Sequence, residues 1–126
     1  NVNRCTDITW FGFLVHLVEM LDGKSSAEVW AKDIPYIEEA YKCANEVIIT
    51  AGCQLNRTHV EPNVEYQIKD FALEEIMYDP QTSGGLLISV PEEEAQELLE
   101  RLNTLEIKSA IVGKVIPKQE KAVIVK

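Results

Sequence analysis

The chain has 126 residues, 46% hydrophobic and 26% charged, which is the length and mixture of one ordinary globular domain. Its net charge of −9, from 21 acidic and 12 basic residues, argues against a surface for nucleic acid or anionic membrane. Three cysteines without C-x-x-C spacing and only two histidines predict neither a disulfide framework nor a zinc site. No signal peptide or membrane span is recognisable, so we expect a cytoplasmic protein.

The first predicted element is a helix from about Ile8 to Leu21, capped by Thr6 or Asp7 and closed at Gly23. Apolar residues cover most of its circumference, so we expect it to be buried on nearly all sides. This helix carries one narrow stripe of polar or small residues, which either lines a cleft or meets water. At spacings of three, four and three, the members of the stripe are Thr9, Gly12, His16 and Glu19.

The middle of the chain begins with a predicted short strand from Ser26 to Ala31. A helix follows, with Pro35 near its first position and its end at about Asn45. The segment from Thr50 to Val64 has an irregular pattern and is predicted to be a long loop, either functional or a plain surface excursion. A short helix from Ile68 to Tyr78 should stop at Asp79-Pro80, because proline disfavours the helical conformation in the residue before it.

The last part of the chain predicts a buried strand from Leu86 to Val90 and then a one-sided helix with Pro91 at its first position. We interpret the acidic first turn of that helix as a solvated face. Two closing strands, Ala110 to Ile116 and Ala122 to Val125, are predicted to form a hairpin. Together these elements predict an α/β (α+β) fold, with helices packed on a mixed β-sheet, in one domain spanning residues 1–126.

The turn between the predicted helix Ile68–Tyr78 and the strand that follows it contains several residues with special hydrogen-bonding or backbone properties. Thr82 and Ser83 carry hydroxyls that can bond backbone N–H groups. Gly84-Gly85 adds backbone freedom and lets a ligand or another strand approach closely. On turn chemistry alone a purely structural turn is favoured.

Asp7 is the candidate carboxylate at the start of the first helix, between the hydroxyls of Thr6 and Thr9. It could cap the helix, which is worth about 1 kcal/mol, or it could bind magnesium. Magnesium usually takes one or two protein carboxylates and completes its shell with phosphate oxygens and water. Residue chemistry alone favours the cap.

Several stretches resemble selenophosphate synthetase, also called selenide, water dikinase. Thr6–Leu17 reads TDITWFGFLVHL and is similar to the T-D-V-T-G-F-G-L-L-G-H-L stretch of that family. Asp79–Leu87 matches its D-P-Q-T-S-G-G-L-L stretch without a change. Asn56-Arg57, Glu61-Pro62 and Gly113–Val115 also fall where the family has similar residues. The resemblance covers essentially the whole chain, which is identified as the C-terminal domain of this family.

The resemblance implies a known architecture and reaction. The family shares an ATP-binding superfamily with aminoimidazole ribonucleotide (AIR) synthetase, and its members are homodimers of an N-terminal nucleotide-binding domain and a C-terminal α/β domain. They convert selenide, ATP and water into selenophosphate, phosphate and AMP, using magnesium. Their catalytic cysteine or selenocysteine and lysine lie in the N-terminal domain, which we expect to be missing from this chain. Cys5, Cys43 and Cys53 are therefore not that nucleophile, and we expect the chain alone to be inactive.

The resemblance also assigns site residues. Asp7 falls on a metal-binding aspartate of the family, which reverses the preference for a helix cap. Trp10 and Val15 replace glycines of the family stretch and add bulk there. The residues expected to shape the nucleotide and substrate cleft are Thr6, Thr9, Thr82, Ser83, Gly84 and Gly85. The alternatives are another enzyme of the same superfamily, or a non-catalytic dimerisation or scaffold module.

Overall fold

A computed structural model describes all 126 residues, from Asn1 to Lys126. Each half of the chain mixes helices and strands, and no element is longer than 12 residues. The elements, in chain order, are β1 (Arg4–Asp7), α1 (Gly12–Leu21), β2 (Ser25–Val29), α2 (Glu38–Asn45), α3 (Ala51–Val60), β3 (Val64–Tyr66), α4 (Phe71–Tyr78), β4 (Leu86–Ser89), α5 (Glu92–Asn103), β5 (Gly113–Pro117) and β6 (Val123–Val125). None of the five helices has the length and apolarity needed to cross a lipid bilayer.

The larger sheet has four strands in the order β3-β6-β2-β5. Strand β5 pairs antiparallel with β2, whereas β6 pairs parallel with both β2 and β3. The predicted hairpin of the last two strands is wrong, because β2 lies between them. The buried Ser26 hydroxyl explains this arrangement: it donates to the Lys121 carbonyl and accepts from the Gln119 N–H, both at 2.8 Å, and so holds the connection across the end of β2.

A second, two-stranded sheet pairs β1 antiparallel with β4, with Asp7 opposite Leu86. This pairing corrects the predicted start of the first helix and the predicted cap. Thr6 and Asp7 belong to the strand, and α1 begins only at Gly12, after Phe11, with no side-chain cap. Strand β4 is also less buried than predicted, since Leu86 is 66% exposed.

Helix α1 lies at the centre of the domain, in contact with α3, α4 and β2. Seven of its ten residues are buried, which agrees with the predicted burial on nearly all sides. A cluster of 17 buried residues forms the core and includes side chains of α1, α3, α4 and the sheet. Helix α5 is half-buried along one face only, in line with the predicted one-sided helix, and has no fully buried residue.

The predicted loop from Thr50 to Val64 is wrong, because most of it forms α3. Thr50 caps that helix by accepting from the Cys53 N–H at 3.2 Å. The buried positions of α3 are Cys53, Asn56 and Val60, a helical spacing of three and four whose central member is polar. Because a buried asparagine interrupts the apolar pattern, the spacing of apolar residues does not reveal this helix.

Two other helix starts differ slightly from the prediction. Helix α2 begins at Glu38 and not near Pro35, and Pro91 lies just before α5 and not at its first position. The mixed sheet packed with helices confirms the predicted fold class.

Candidate functional site

Two stretches that are far apart in sequence lie side by side, residues 6–12 and residues 79–85, which we call the paired segments. The Ile8 N–H donates to the Gly85 carbonyl at 2.9 Å, which extends the β1–β4 pairing by one more bond. The Gln81 N–H donates to the Thr9 carbonyl at 3.0 Å. The two stretches singled out in the sequence therefore form one continuous surface feature.

Glycines of the paired segments allow close backbone contact at two points, one with the end of α4 and one between the segments. Gly12 has φ of +71°, and a Cβ there would lie 2.7 Å from the carbonyl carbon and oxygen of Tyr78. A Cβ on Gly84 would overlap the carbonyl oxygen of Ile8. Both glycines are thus required by backbone-to-backbone contact inside the domain. At Gly85, in contrast, a Cβ would meet nothing within 4 Å.

Asn56 of α3 ties the first paired segment to the end of α4, just before the second segment, and was not predicted to do so. This side chain is 6% exposed, and its Nδ2 donates to the Trp10 carbonyl at 3.0 Å and to the Tyr78 carbonyl at 2.9 Å. Both N–H groups of the Asn56 side-chain amide therefore have acceptors, one in each of the two parts of the chain that it joins. Asp79 is also held, because it accepts from Thr50 at 3.1 Å and from the Gln81 side chain at 3.0 Å.

Asp7 differs from Asp79 in having no partner. It is exposed, and its carboxylate makes no hydrogen bond or ion pair within the chain. Thr82 and Ser83 are likewise exposed, with hydroxyls that bond to no other residue. The Thr6 hydroxyl makes only a long 3.4 Å contact to the Asp7 carbonyl. The paired segments thus offer a free carboxylate and two free hydroxyls to solvent.

The donor set at this site fits a cation only as a partial ligand set. No group of three or more histidine, cysteine, aspartate or glutamate side chains is arranged to hold a metal ion anywhere in the chain. Asp7 can supply one hard oxygen ligand, of the kind that magnesium prefers. The remaining ligands of such an ion would have to come from outside this chain.

Behind the paired segments lies a buried polar network between α3 and α4. Its centre is Glu75, which is 2% exposed and accepts from Cys53 Sγ at 2.9 Å and from Gln54 Nε2 at 3.1 Å. The other oxygen of Glu75 pairs with Arg57 at 2.5 Å. Burial disfavours the charge of Arg57, but its hydrogen bonds to Glu75 and Glu61 outweigh burial and raise its pKa. This network fixes α3 to α4, the two helices that hold Asn56 and Tyr78.

The comparison with known proteins identifies the family. A family model described as "AIR synthase related protein, C-terminal domain" matches residues 1–126. The chain belongs to this family of AIR synthase-related C-terminal domains.

The relatives of this AIR synthase-related domain include several selenide, water dikinases. That of Desulfitobacterium hafniense is 44% identical over 119 residues, which are 94% of this chain and 35% of the relative. That of Clostridioides difficile is 46% identical over 129 residues, 99% of this chain and 37% of the relative. Selenide, water dikinase 2 of Peptoclostridium acidaminophilum is 43% identical over 127 residues, 99% and 37% of the two chains. The resemblance found in the sequence is confirmed, and the chain spans little more than a third of the length of these relatives.

The two bulky residues that replace family glycines have different surroundings in this AIR synthase-related domain. Val15 is 2% exposed and belongs to the core of α1. Trp10 is 70% exposed, and only its carbonyl is held, by Asn56. The bulk of Val15 is therefore accommodated by internal packing, whereas that of Trp10 lies on the surface.

The three cysteines of the domain should react very differently with thiol reagents. Cys5 and Cys43 are exposed, whereas Cys53 is 1% exposed and bonded to Glu75. Burial and the Glu75 hydrogen bond raise the pKa of Cys53 to about 12, so at pH 8 roughly one molecule in 10⁴ carries the thiolate. We expect iodoacetamide to label Cys5 and Cys43 in the folded protein, and Cys53 only after denaturation. Mass spectrometry of labelled peptides would contradict this if Cys53 were modified as fast as Cys43.

Proposed function

We propose that this chain is the C-terminal domain of a selenophosphate synthetase, which makes selenophosphate, phosphate and AMP from selenide, ATP and water. The observation that carries the proposal is 43–46% identity to selenide, water dikinases over 94–99% of the chain. In this proposal an N-terminal nucleotide-binding domain supplies the catalytic nucleophile and lysine, and the whole protein is a cytoplasmic homodimer.

Within that enzyme, Asp7 would be a magnesium ligand. Support comes from its exposed carboxylate, which has no partner in the chain although the neighbouring motif aspartate, Asp79, has two. Magnesium would neutralise negative charge on the phosphates of ATP and orient them for transfer. A domain with a net charge of −9 needs such a cation, or a basic partner domain, to accept a nucleotide.

The other paired-segment residues would form one wall of the cleft. The free hydroxyls of Thr82 and Ser83 can donate to phosphate oxygens, and the open space at Gly85 leaves room for a ligand beside the backbone. Gly84 would contribute indirectly, by allowing the contact with Ile8. Thr6 and Thr9 extend this wall from the opposite segment.

The test is turnover of ATP by the full-length protein, with and without selenide. We expect AMP and selenophosphate to form only when selenide and magnesium are present, and we expect the 126-residue chain alone to be inactive. Equal ATP consumption without selenide would contradict the substrate assignment. Turnover by the chain alone would contradict the claim that catalytic groups lie outside it.

A further inference from the structure

A large apolar groove lies between the two sheets of the domain, bordered by β4 of the small sheet and β5 of the large one, and we call it the inter-sheet groove. Its volume is about 1730 Å³. Pockets for small ligands usually measure about 300–1,000 Å³, so this space is larger than one small molecule fills. Because protein interiors contain few voids larger than a water molecule, an apolar space of this size indicates a surface that another part of a protein covers.

Two helices contribute apolar side chains to the walls of the inter-sheet groove. On α2 and the residues flanking it, the lining side chains recur every three or four positions, and three of the four are exposed. They are Ile37, Ala40, Ala44 and Ile48. The lining side chains of α5 are half-buried and follow a similar spacing. They are Ala95, Leu98, Leu99 and Leu102. Helix α5 has no extensive contact with any other helix or strand, so the domain itself leaves this apolar surface partly uncovered.

The two strands that border the groove also have unpaired edges. Strand β4 pairs only with β1, and β5 pairs only with β2, so each has one edge whose backbone groups meet no other strand. Val115 of β5 lies opposite Ala27 and therefore on the same face of the sheet. Ala27 is 3% exposed whereas Val115 is 52% exposed. The covered face of the sheet thus ends at β5, beside the groove.

The charge and shape of the domain argue against a second copy as the occupant. Two chains with a net charge of −9 each repel one another. A contact about a two-fold axis brings the same surface of both copies together, so it would place groove against groove and leave the space empty. Under the proposed function, in contrast, most of the polypeptide lies outside these residues, since the chain spans 35–37% of its relatives.

We propose that the inter-sheet groove is the docking site of an extended apolar segment of the same polypeptide, from the part outside residues 1–126. This inference rests on the proposed function, which supplies the longer polypeptide. The segment pairs with a free strand edge and buries alternate side chains against α2 and α5, as in other cases where a strand is added to a sheet. Because the contact is intramolecular, the segment is present at a high effective concentration.

A photo-crosslinking experiment on the full-length protein identifies what fills the groove. The substitutions Ile48→p-benzoylphenylalanine and Leu99→p-benzoylphenylalanine place a photoreactive group on opposite walls, and mass spectrometry of the digested product locates the crosslink. We expect both positions to crosslink to a peptide of the same polypeptide outside residues 1–126. The control is the same substitution at Leu105, which is 61% exposed but does not line the groove, and it should not reach that peptide.

Three crosslinking results would overturn the proposal. Crosslinks between two polypeptides would show that a second copy fills the groove. Crosslinks confined to residues 1–126 would show that the elements of this domain close it themselves. An absence of crosslinks from both Ile48 and Leu99 would show that the groove stays open to solvent.

Thermal unfolding of the full-length protein gives a second readout. Ile48→Asp is expected to lower the melting temperature by roughly 5–10 °C, because it places a charge in a covered apolar contact. Leu105→Asp, at a position of similar exposure in this domain, should lower it by less than about 2 °C. Equal shifts would overturn the proposal. An absence of selenide-dependent turnover would contradict the proposed function alone, while the crosslinks and melting temperatures still decide whether the groove is filled.

Discussion

Replacing Glu75 with alanine is expected to lower the free energy of unfolding by about 3–5 kcal/mol, a large part of the 5–15 kcal/mol typical of a domain. Glu75 is 2% exposed, and its loss leaves the Arg57 guanidinium, 15% exposed, without its inner partner. The Cys53 thiol and the Gln54 amide lose an acceptor at the same time. Urea denaturation of the two proteins measures the difference directly.

The matched control is Glu61→Ala, which removes the outer partner of the same arginine. Glu61 is 47% exposed and 3.1 Å from Arg57, so we expect a loss of at most about 1 kcal/mol. If Glu75→Ala cost no more than Glu61→Ala, the network between α3 and α4 would not be a stabilising feature of the fold.

Gly12→Ala is expected to cost about 2–5 kcal/mol and to disturb the paired segments. The left-handed conformation at φ of +71° costs a residue with a Cβ about 1–2 kcal/mol. Contact with backbone atoms of Tyr78 at 2.7 Å adds about 1–3 kcal/mol, because backbone cannot rotate away as a side chain can. Denaturation midpoints and amide spectra of residues 79–85 would report both effects.

Gly23→Ala separates these two contributions. Gly23 also has a positive φ, of +64°, but a Cβ there would meet nothing within 4 Å. We therefore expect only the conformational cost of about 1–2 kcal/mol. Equal losses at Gly12 and Gly23 would show that the contact between α1 and Tyr78 is looser than the structure indicates.

The sequence alone predicts correctly the burial of helices whose apolar residues are regularly spaced. The burial of α1 and the single half-buried face of α5 follow directly from the spacing of their apolar residues. Helix α3 was missed because Asn56 occupies a core position, and a buried polar residue is only explained by its partners, the Trp10 and Tyr78 carbonyls. Those partners are distant in sequence, so no local rule could have found them.

The start of α1 and the pairing of the last two strands were also mispredicted, because both depend on contacts between residues distant in sequence. The first helix was predicted to start at about Ile8 with Thr6 or Asp7 as its cap, but pairing with β4 uses the backbone hydrogen bonds of Arg4–Asp7 instead. The two C-terminal strands looked like a hairpin because they are adjacent in sequence, yet β2 inserts between them. Strand pairing is decided by contacts across the whole chain, which local pattern and turn chemistry do not encode.

The sequence predicted which two stretches form the candidate site, but not how their side chains are arranged or bonded. The sequence singled out Asp7 as the candidate metal ligand and placed Asp79 at the end of a helix. The structure agrees with that difference, since Asp79 is bonded to Thr50 and Gln81 whereas Asp7 has no partner. The assignment of Asp7 to magnesium remains a proposal, and it is the point at which this domain would enter the chemistry.

The most direct test is the magnesium dependence of selenide-driven ATP turnover in the full-length protein, with wild type compared with Asp7→Asn. Loss of one carboxylate ligand is expected to lower turnover at limiting magnesium by roughly 100-fold, and excess magnesium should restore part of it. The control Asp33→Asn changes another exposed aspartate that has no partner, and it should leave turnover unchanged. Wild-type turnover in Asp7→Asn at every magnesium concentration would contradict the account and leave Asp7 as an ordinary surface residue of β1.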